Sequence, residues 1–326
     1  MADCHQSFID YLGAITLVET QEAKLRTSRD ALLNRISNRF RNDGKKIPEY
    51  ESQGSYAINT QNRPISEDFD LDHGVYLVHW SDDATVPVSE AFDLIARAVE
   101  GQTSIALPHK DTCVRVQYKP ASDGTPAHHV DLAIYRKKSD GTRLHAHRVE
   151  GWRPSDQKGF IGHYNARKND QVCALVRLFK GWSDYQGTKG GQKMPSGFHF
   201  TVAVLECLKE AADRHDRAFV YTAEAIRDRL TAYGNRTGAP ILRPVIPNED
   251  IFKTYDSSRL GHLIAKLHEI SVQGRKALNE ADPEAAKRIW RELFGDRFKA
   301  PGPGDASEGQ KIWSAPAIIG RSDKAA

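Results

Sequence analysis

The chemistry legible in this chain lies in a glycine-serine turn and the carboxylates that follow it. Gln53-Gly54-Ser55-Tyr56 precedes Asp68-Phe69-Asp70-Leu71-Asp72, and Asp131 stands inside His129-Val130-Asp131-Leu132-Ala133-Ile134-Tyr135. A Gly-Ser turn offers backbone N–H groups and a hydroxyl, which suit phosphate oxygens. Gly54 and Ser55 are therefore candidates for holding a β- or γ-phosphate. Asp70 and Asp72 are two residues apart, so an extended strand points both to one face. If Asp131 projects from a neighbouring strand, the carboxylates converge where a phosphate chain would lie. Anions that close repel unless divalent cations neutralise them, and oxygen-only ligation suits Mg²⁺ or Mn²⁺. Two such ions, held by Asp70, Asp72 and Asp131, are the equipment of phosphoryl transfer.

Each piece also has a plainer reading, the turn as a turn and Asp-x-Asp as a solvated strand end or calcium-type loop. The surroundings of Asp131 favour the chemical one. Val130, Leu132 and Ile134 alternate with His129, Asp131 and Ala133, so the apolar set fills one face and Asp131 falls on the other. A charge in such a strand is costly unless it is paired or ligating. Arg115 lies opposite Val114 and Val116 in a second alternating run, Thr112 to Tyr118. Its fork suits phosphate or guanine recognition, or else a salt bridge to a local acid such as Asp111.

The elements that must position these groups follow from periodicity. Phe8, Tyr11, Leu12 and Ile15 form one helical stripe, and Leu25, Leu32, Leu33, Ile36 and Phe40 another, ended by Gly44 and Pro48. A strand over 70–78, a helix opened by Pro87 and Ser89, and a hairpin joining 112–118 to the Asp131 strand complete an α/β lobe. Beyond about residue 160 the period turns helical. Stripes run over 172–182, from Pro195-Ser196-Gly197 to Leu208, over 260–270, and from Asp282-Pro283 to Gly295. The predicted class is α+β, with a catalytic lobe and its N-terminal helices at 1–160 and a helical lobe at 161–298. The tail, 299–326, is too rich in Pro and Gly to build a core and should be mobile.

Of 326 residues, 27% are charged and 39% hydrophobic, with a formal charge of +3. That charge is too small to announce a nucleic-acid binder, and the local basic clusters Arg136-Lys137-Lys138 and Arg167-Lys168 read as solvated faces. Cys4, Cys113, Cys173 and Cys207 show no Cys-x-x-Cys spacing and read as buried thiols. No signal peptide or bilayer-long apolar run is visible, so the expectation is reducing cytoplasm and no membrane. His128-His129 and His145-x-His147, with no cysteine near, read as surface histidines rather than a zinc site.

Gln53-Gly54-Ser55-Tyr56, with Asn59-Thr60 and Asn62-Arg63-Pro64 before Asp70-Leu71-Asp72-His73-Gly74-Val75-Tyr76-Leu77, resembles the bacterial cGAS/DncV-like nucleotidyltransferases (CD-NTases). The similarity runs from the first helix to Leu293-Phe294-Gly295. It implies a polymerase β-like catalytic lobe facing the helical lobe across a nucleotide cleft. It also implies synthesis of cyclic oligonucleotide messengers for antiphage defence. In similar enzymes a lysine in the first long helix of the helical lobe and a serine opening the next grip the donor triphosphate; Lys180 and Ser196 match them. Asp250 falls where relatives place residues that read the acceptor base, and Gln53 belongs to the nucleotide-binding motif. The Cys/His insertion of the animal DNA-sensing relatives is missing here, which implies no zinc and no DNA activator.

On this resemblance ATP and GTP would join in two steps at one site, and a cyclic GMP-AMP isomer is the favoured product. Transfer onto an RNA 3′ end or a small-molecule hydroxyl would use the same triad, and a nucleotide-binding module without catalysis is a third reading. For some members the resemblance further implies a C-terminus conjugated by an operon-encoded partner with ubiquitin-transfer-like chemistry. A tail of no consequence stands beside that idea.

Overall fold

The computed structural model describes residues 2–122 and 125–299. The tail beyond Lys299, with the mobility and conjugation expected of it, lies outside the described residues. The chain opens with α1 (His5–Ile15) and α2 (Glu19–Asn42), then β1 (Glu49–Ser52), a single turn α3 (Gly54–Ala57), β2 (Phe69–Leu77), α4 (Val88–Val99), β3 (Cys113–Tyr118) and β4 (His128–Lys137). Two short strands follow, β5 (Arg143–His147) and β6 (Gly151–Pro154). Helices then take over: α5 (Gln157–Arg167), α6 (Asp170–Thr188), α7 (Gly197–Cys207), α8 (His215–Gly234), α9 (Ser257–Asn279) and α10 (Pro283–Phe294).

The starts of the late helices are written in the sequence. Asp156, Asn169, Asp256 and Asp282 each accept a backbone N–H of the first turn that follows, as short polar caps do. Pro283 adds a fixed φ at the first position of α10, and Gly295, at φ 80°, closes that helix.

β2 and β4 run parallel at the centre of the sheet, with Asp72 paired to Asp131. β1 adds antiparallel to the free edge of β2. On the other edge of β4, β3 takes residues 128–133 and β5 takes 135–137, both antiparallel, with β6 beyond β5. One face of this sheet is apolar. Leu71, Val75, Val114, Val116, Val130, Leu132 and Ile134 pack against Leu32, Ile36 and Phe40 of α2 and Phe92 and Ile95 of α4. The period of two therefore leaves Asp70, Asp72, Arg115 and Asp131 on the opposite face.

A second core gathers α5 to α10, and α1 belongs to it. This departs from the expectation that the N-terminal helices both join the catalytic lobe. Phe8 meets Trp290 edge-on at 4.9 Å and Phe298 at 5.3 Å, and Tyr11 lies 4.8 Å from Phe294. Periodicity identifies the buried stripe of a helix but not the surface that covers it. Here the aromatic rings of α10 and Phe298 do so, and α1 completes the helical core. Among the described residues no helix is long and apolar enough to cross a membrane.

Phe8→Ala should cost about 3–5 kcal/mol and release α1 from α10. Urea unfolding followed by tryptophan fluorescence would read both effects, because the fully buried Trp290 reports on this contact.

Candidate active site

A cleft of about 480 Å³ opens between the two cores, bounded by Gly54, Ser55, Asp70, Asp72, Lys180 and Ser196. On the sheet side, the Gly54–Ser55 turn is pinned to β2 by the Gln53 N–H, which donates to the Asp72 carbonyl at 3.3 Å. Gly54 has φ +60°, and a Cβ there would lie 1.9 Å from Asp72 Oδ2. Only glycine allows the turn both that conformation and that approach to the carboxylate.

The electrostatics are set by crowding. Burial, then the neighbouring carboxylates Asp70 and Asp131, push the Asp72 carboxyl up to about 7, with Lys180 and Arg115 opposing. A hard divalent cation suits such an all-oxygen, charge-crowded pair. Asp70 and Asp72 thus fit a metal ion, while the Asp131 carboxylate is engaged elsewhere. Arg115 grips it through Nε at 2.7 Å and Nη2 at 2.6 Å, from directly across the β3–β4 pair. Among the described residues no group of three or more Asp, Glu, His or Cys side chains is gathered as a metal site.

On the helical side, Lys180 Nζ donates to the Thr60 carbonyl at 2.7 Å. Burial lowers its ammonium to about 8, and Asp70 is the first of the charges that hold it up. α7 begins against this side chain, since a Cβ on Gly197 would lie 2.7 Å from Lys180 Cε. Ser196 occupies the N-cap position of α7 but caps no backbone group; its Oγ lies 2.8 Å from His199 Nδ1. The cleft therefore has phosphate-binding equipment on both walls. Uncapped helix N–H groups, a hydroxyl and an ammonium face a Gly-Ser turn and two carboxylates.

Residues 48–135 match the family model described as "Cyclic GMP-AMP synthase DncV-like, nucleotidyltransferase domain". A cyclic AMP-AMP-AMP synthase from Acinetobacter sp. is 26% identical over 312 residues, covering 90% of this chain and 84% of that protein. The match makes residues 48–135 a DncV-like nucleotidyltransferase domain, and the relatives support a bacterial CD-NTase. The fold agrees. The Vibrio cholerae DncV cyclic AMP-GMP synthase superposes with a TM-score of 0.73 at 16% identity, covering 92% of this chain and 98% of that one. The Bradyrhizobium diazoefficiens CD-NTase CdnG, solved in complex with GTP, gives 0.73 at 15% identity, over 90% and 95%. As nucleotidyltransferases, enzymes of this kind use divalent metal ions.

Several expected site residues of this nucleotidyltransferase sit elsewhere than the sequence suggested. Gln53 is buried beneath the turn, donating to Tyr76 OH at 3.0 Å and accepting from Tyr135 OH at 3.1 Å. Its amide supports the turn from below, and a Cβ on Gly74 would collide with it at 2.2 Å. Arg115 spends its fork on Asp131, neither on Asp111 nor on the cleft. Asp250 is outside the cleft lining, accepting from the Tyr233 hydroxyl and, at 2.8 Å, from the Phe252 N–H. An aspartate that opens a loop meets its own backbone two residues on before it meets a ligand.

The four histidines divide, with His145 and His147 partly exposed at the surface. His128 and His129 are buried, and burial pulls His145 down to about 4. Of the thiols, Cys173 is only half-buried, beside Tyr164 OH at 3.3 Å. Arg136 is also buried, donating to the Ser81 and Asp82 carbonyls.

The sequence reading missed the far wall of the cleft, where Gln157 and Phe198 lie, and the strap of residues 59–65. The Asn59-Thr60 and Asn62-Arg63-Pro64 pairs marked that strap without revealing what it would touch.

Gly54→Ala should lower nucleotidyl transfer more than tenfold, as a left-handed position and a close contact are both lost; product formation per hour at saturating NTP would show it. Asp72→Asn has the opposite sign for stability. A carboxyl raised from 3.8 to about 7 costs wild type stability as pH rises through that interval. The variant should therefore gain about 1–3 kcal/mol over wild type at pH 8 and nothing below pH 4. Urea midpoints in metal-free buffer across that range test the sign.

Proposed function

We propose that the chain is a cyclic oligonucleotide synthase that joins ATP and GTP, with a cyclic GMP-AMP isomer as the product, in antiphage defence signalling. The observation that carries this reading is the cleft itself. Asp70 and Asp72 project into it from one strand, between the Gly54–Ser55 turn on one wall and Lys180 and Ser196 on the other. An adenylate is common to the products named for the Acinetobacter and Vibrio relatives, which supports ATP as one substrate.

In the proposed reaction the acceptor hydroxyl oxygen forms a bond to the donor α-phosphorus. The α–β bridging bond breaks, pyrophosphate leaves, and the hydroxyl proton passes to water. A second transfer of the same kind closes the ring. The Gly54–Ser55 turn would hold the donor β- and γ-phosphates from the sheet side, and Lys180 and Ser196 from the helical side. Asp70 and Asp72, with Asp131 once it leaves Arg115, would carry two Mg²⁺ or Mn²⁺ ions. Bound there, such ions would offset charge on the α-phosphate and acidify the attacking hydroxyl.

Incubation with all four radiolabelled NTPs and Mg²⁺, then phosphatase treatment and chromatography, tests the reading. A phosphatase-resistant product that needs both ATP and GTP is expected, and EDTA should abolish it. A product from ATP alone would overturn the mixed composition, and label transferred only to added RNA would overturn cyclisation. Asp70→Asn with Asp72→Asn should lower turnover by about three orders of magnitude or more, with far-UV circular dichroism unchanged.

A further inference from the structure

Ser196 is placed to donate a hydrogen to a triphosphate, yet its hydroxyl already has a partner. Its Oγ lies 2.8 Å from Nδ1 of His199, one turn along α7. A neutral imidazole carries a single N–H. That hydrogen sits on one ring nitrogen or the other, and a hydrogen on Nε2 leaves Nδ1 an acceptor. In that tautomer Nδ1 has only a lone pair to offer Ser196. The serine must then donate to histidine, and it turns lone pairs toward the cleft. An oxygen so oriented repels phosphate.

We propose that His199 is a positioning residue that sets the direction of the Ser196 hydroxyl. The neutral ring takes the serine hydrogen; the charged ring donates to Oγ and frees that hydrogen for a phosphate oxygen. A triphosphate in the cleft and a proton on His199 therefore bind cooperatively, each favouring the other. The inference rests on the reading of Ser196 as a triphosphate ligand.

The surroundings make the ring responsive. It is half-buried beside Phe252 at 5.3 Å and Tyr255 at 5.6 Å. Burial holds the ring below the usual imidazole range, so the ligand-free protein carries it neutral at neutral pH. The charged groups facing it are Arg259 of α9, which opposes protonation, and Asp250 of the preceding loop, which supports it. Tyr255 brings no charge, since burial raises its phenol. Asp250 thus acts on the cleft without entering it.

The test is calorimetric binding of a non-hydrolysable ATP analogue with Mg²⁺ from about pH 5.5 to about pH 8, the range that spans histidine titration. Wild type should weaken with rising pH about tenfold more than His199→Phe does, the worth of one hydrogen bond to a charged group. The Phe variant keeps the aromatic packing and subtracts the titration of Lys180 and of the analogue. His199→Asn, whose amide can donate to Ser196 and cannot titrate, should show the same shallow slope, and it serves if the Phe variant does not fold. Ser196→Ala should be as shallow, with no further effect of His199→Phe upon it. Parallel curves for wild type and His199→Phe would overturn the inference. Because binding needs no turnover, a wild type that binds the analogue but makes no cyclic product would sink the functional reading alone.

Discussion

Parallel pairing of β2 with β4 sets Asp72 beside Asp131, two carboxylates on one face of one sheet with Asp70 next to them. Like charges at that spacing in a half-buried site cannot all ionise without compensation, and the structure shows how the compensation is divided. Arg115 takes Asp131 by a two-pronged grip. Lys180 reaches toward the others from the opposite lobe, and Asp72 absorbs the remainder as a raised carboxyl pKa. The same face must stay open to a ligand, so the backbone opposite it can carry no side chain. That is the physical reason for Gly54 at φ +60° against the Asp72 carboxylate.

The second constraint is mechanical. The two cores are laced through one face of α6, where Arg177, Lys180 and Asp184 recur at helical spacing. Arg177 donates to Thr16 Oγ1 at 2.7 Å and to the Asn59 carbonyl at 3.1 Å, and its own carbonyl accepts from Asn62 at 2.8 Å. Asp184 accepts from the Ile65 N–H at 2.8 Å and from Arg297 at 3.1 Å. Arg297 in turn holds the Arg63 carbonyl at 2.6 Å. The strap between the Gly-Ser turn and β2 is therefore fastened to the helical lobe along its length. Lys180, between the two anchors, is held in register with the carboxylates it faces. A half-buried guanidinium such as Arg177, hydrogen-bonded to neutral oxygens, is an expensive way to join two surfaces, and it gives them a directional lock that apolar contact would not.

What the sequence determined is local. The turn, the Asp-x-Asp pair, the alternation that turns Asp131 away from the apolar face, and the caps at Asp282 and Gly295 all depend on neighbours a few residues apart, where spacing and stereochemistry leave little choice. The helix α8 went unread because its buried side includes Asp216 and Thr222 and its apolar residues are small or scattered. The short strands β1, β5 and β6 have too few residues for alternation to declare itself.

Tertiary structure decided the pairings. Arg115, read as a ligand for phosphate or guanine, closes on Asp131 because antiparallel register sets it directly opposite. Gln53 is drawn under the turn by Tyr76 and Tyr135, which stack 4.6 Å apart only once β2 and β4 are side by side. α1, amphipathic by itself, finds its cover in rings nearly three hundred residues away. A side chain's chemistry is fixed by its type, but its partner is whichever complementary group the folded chain brings within about 3 Å. That distance is set by the packing of the two cores, and no local pattern contains it.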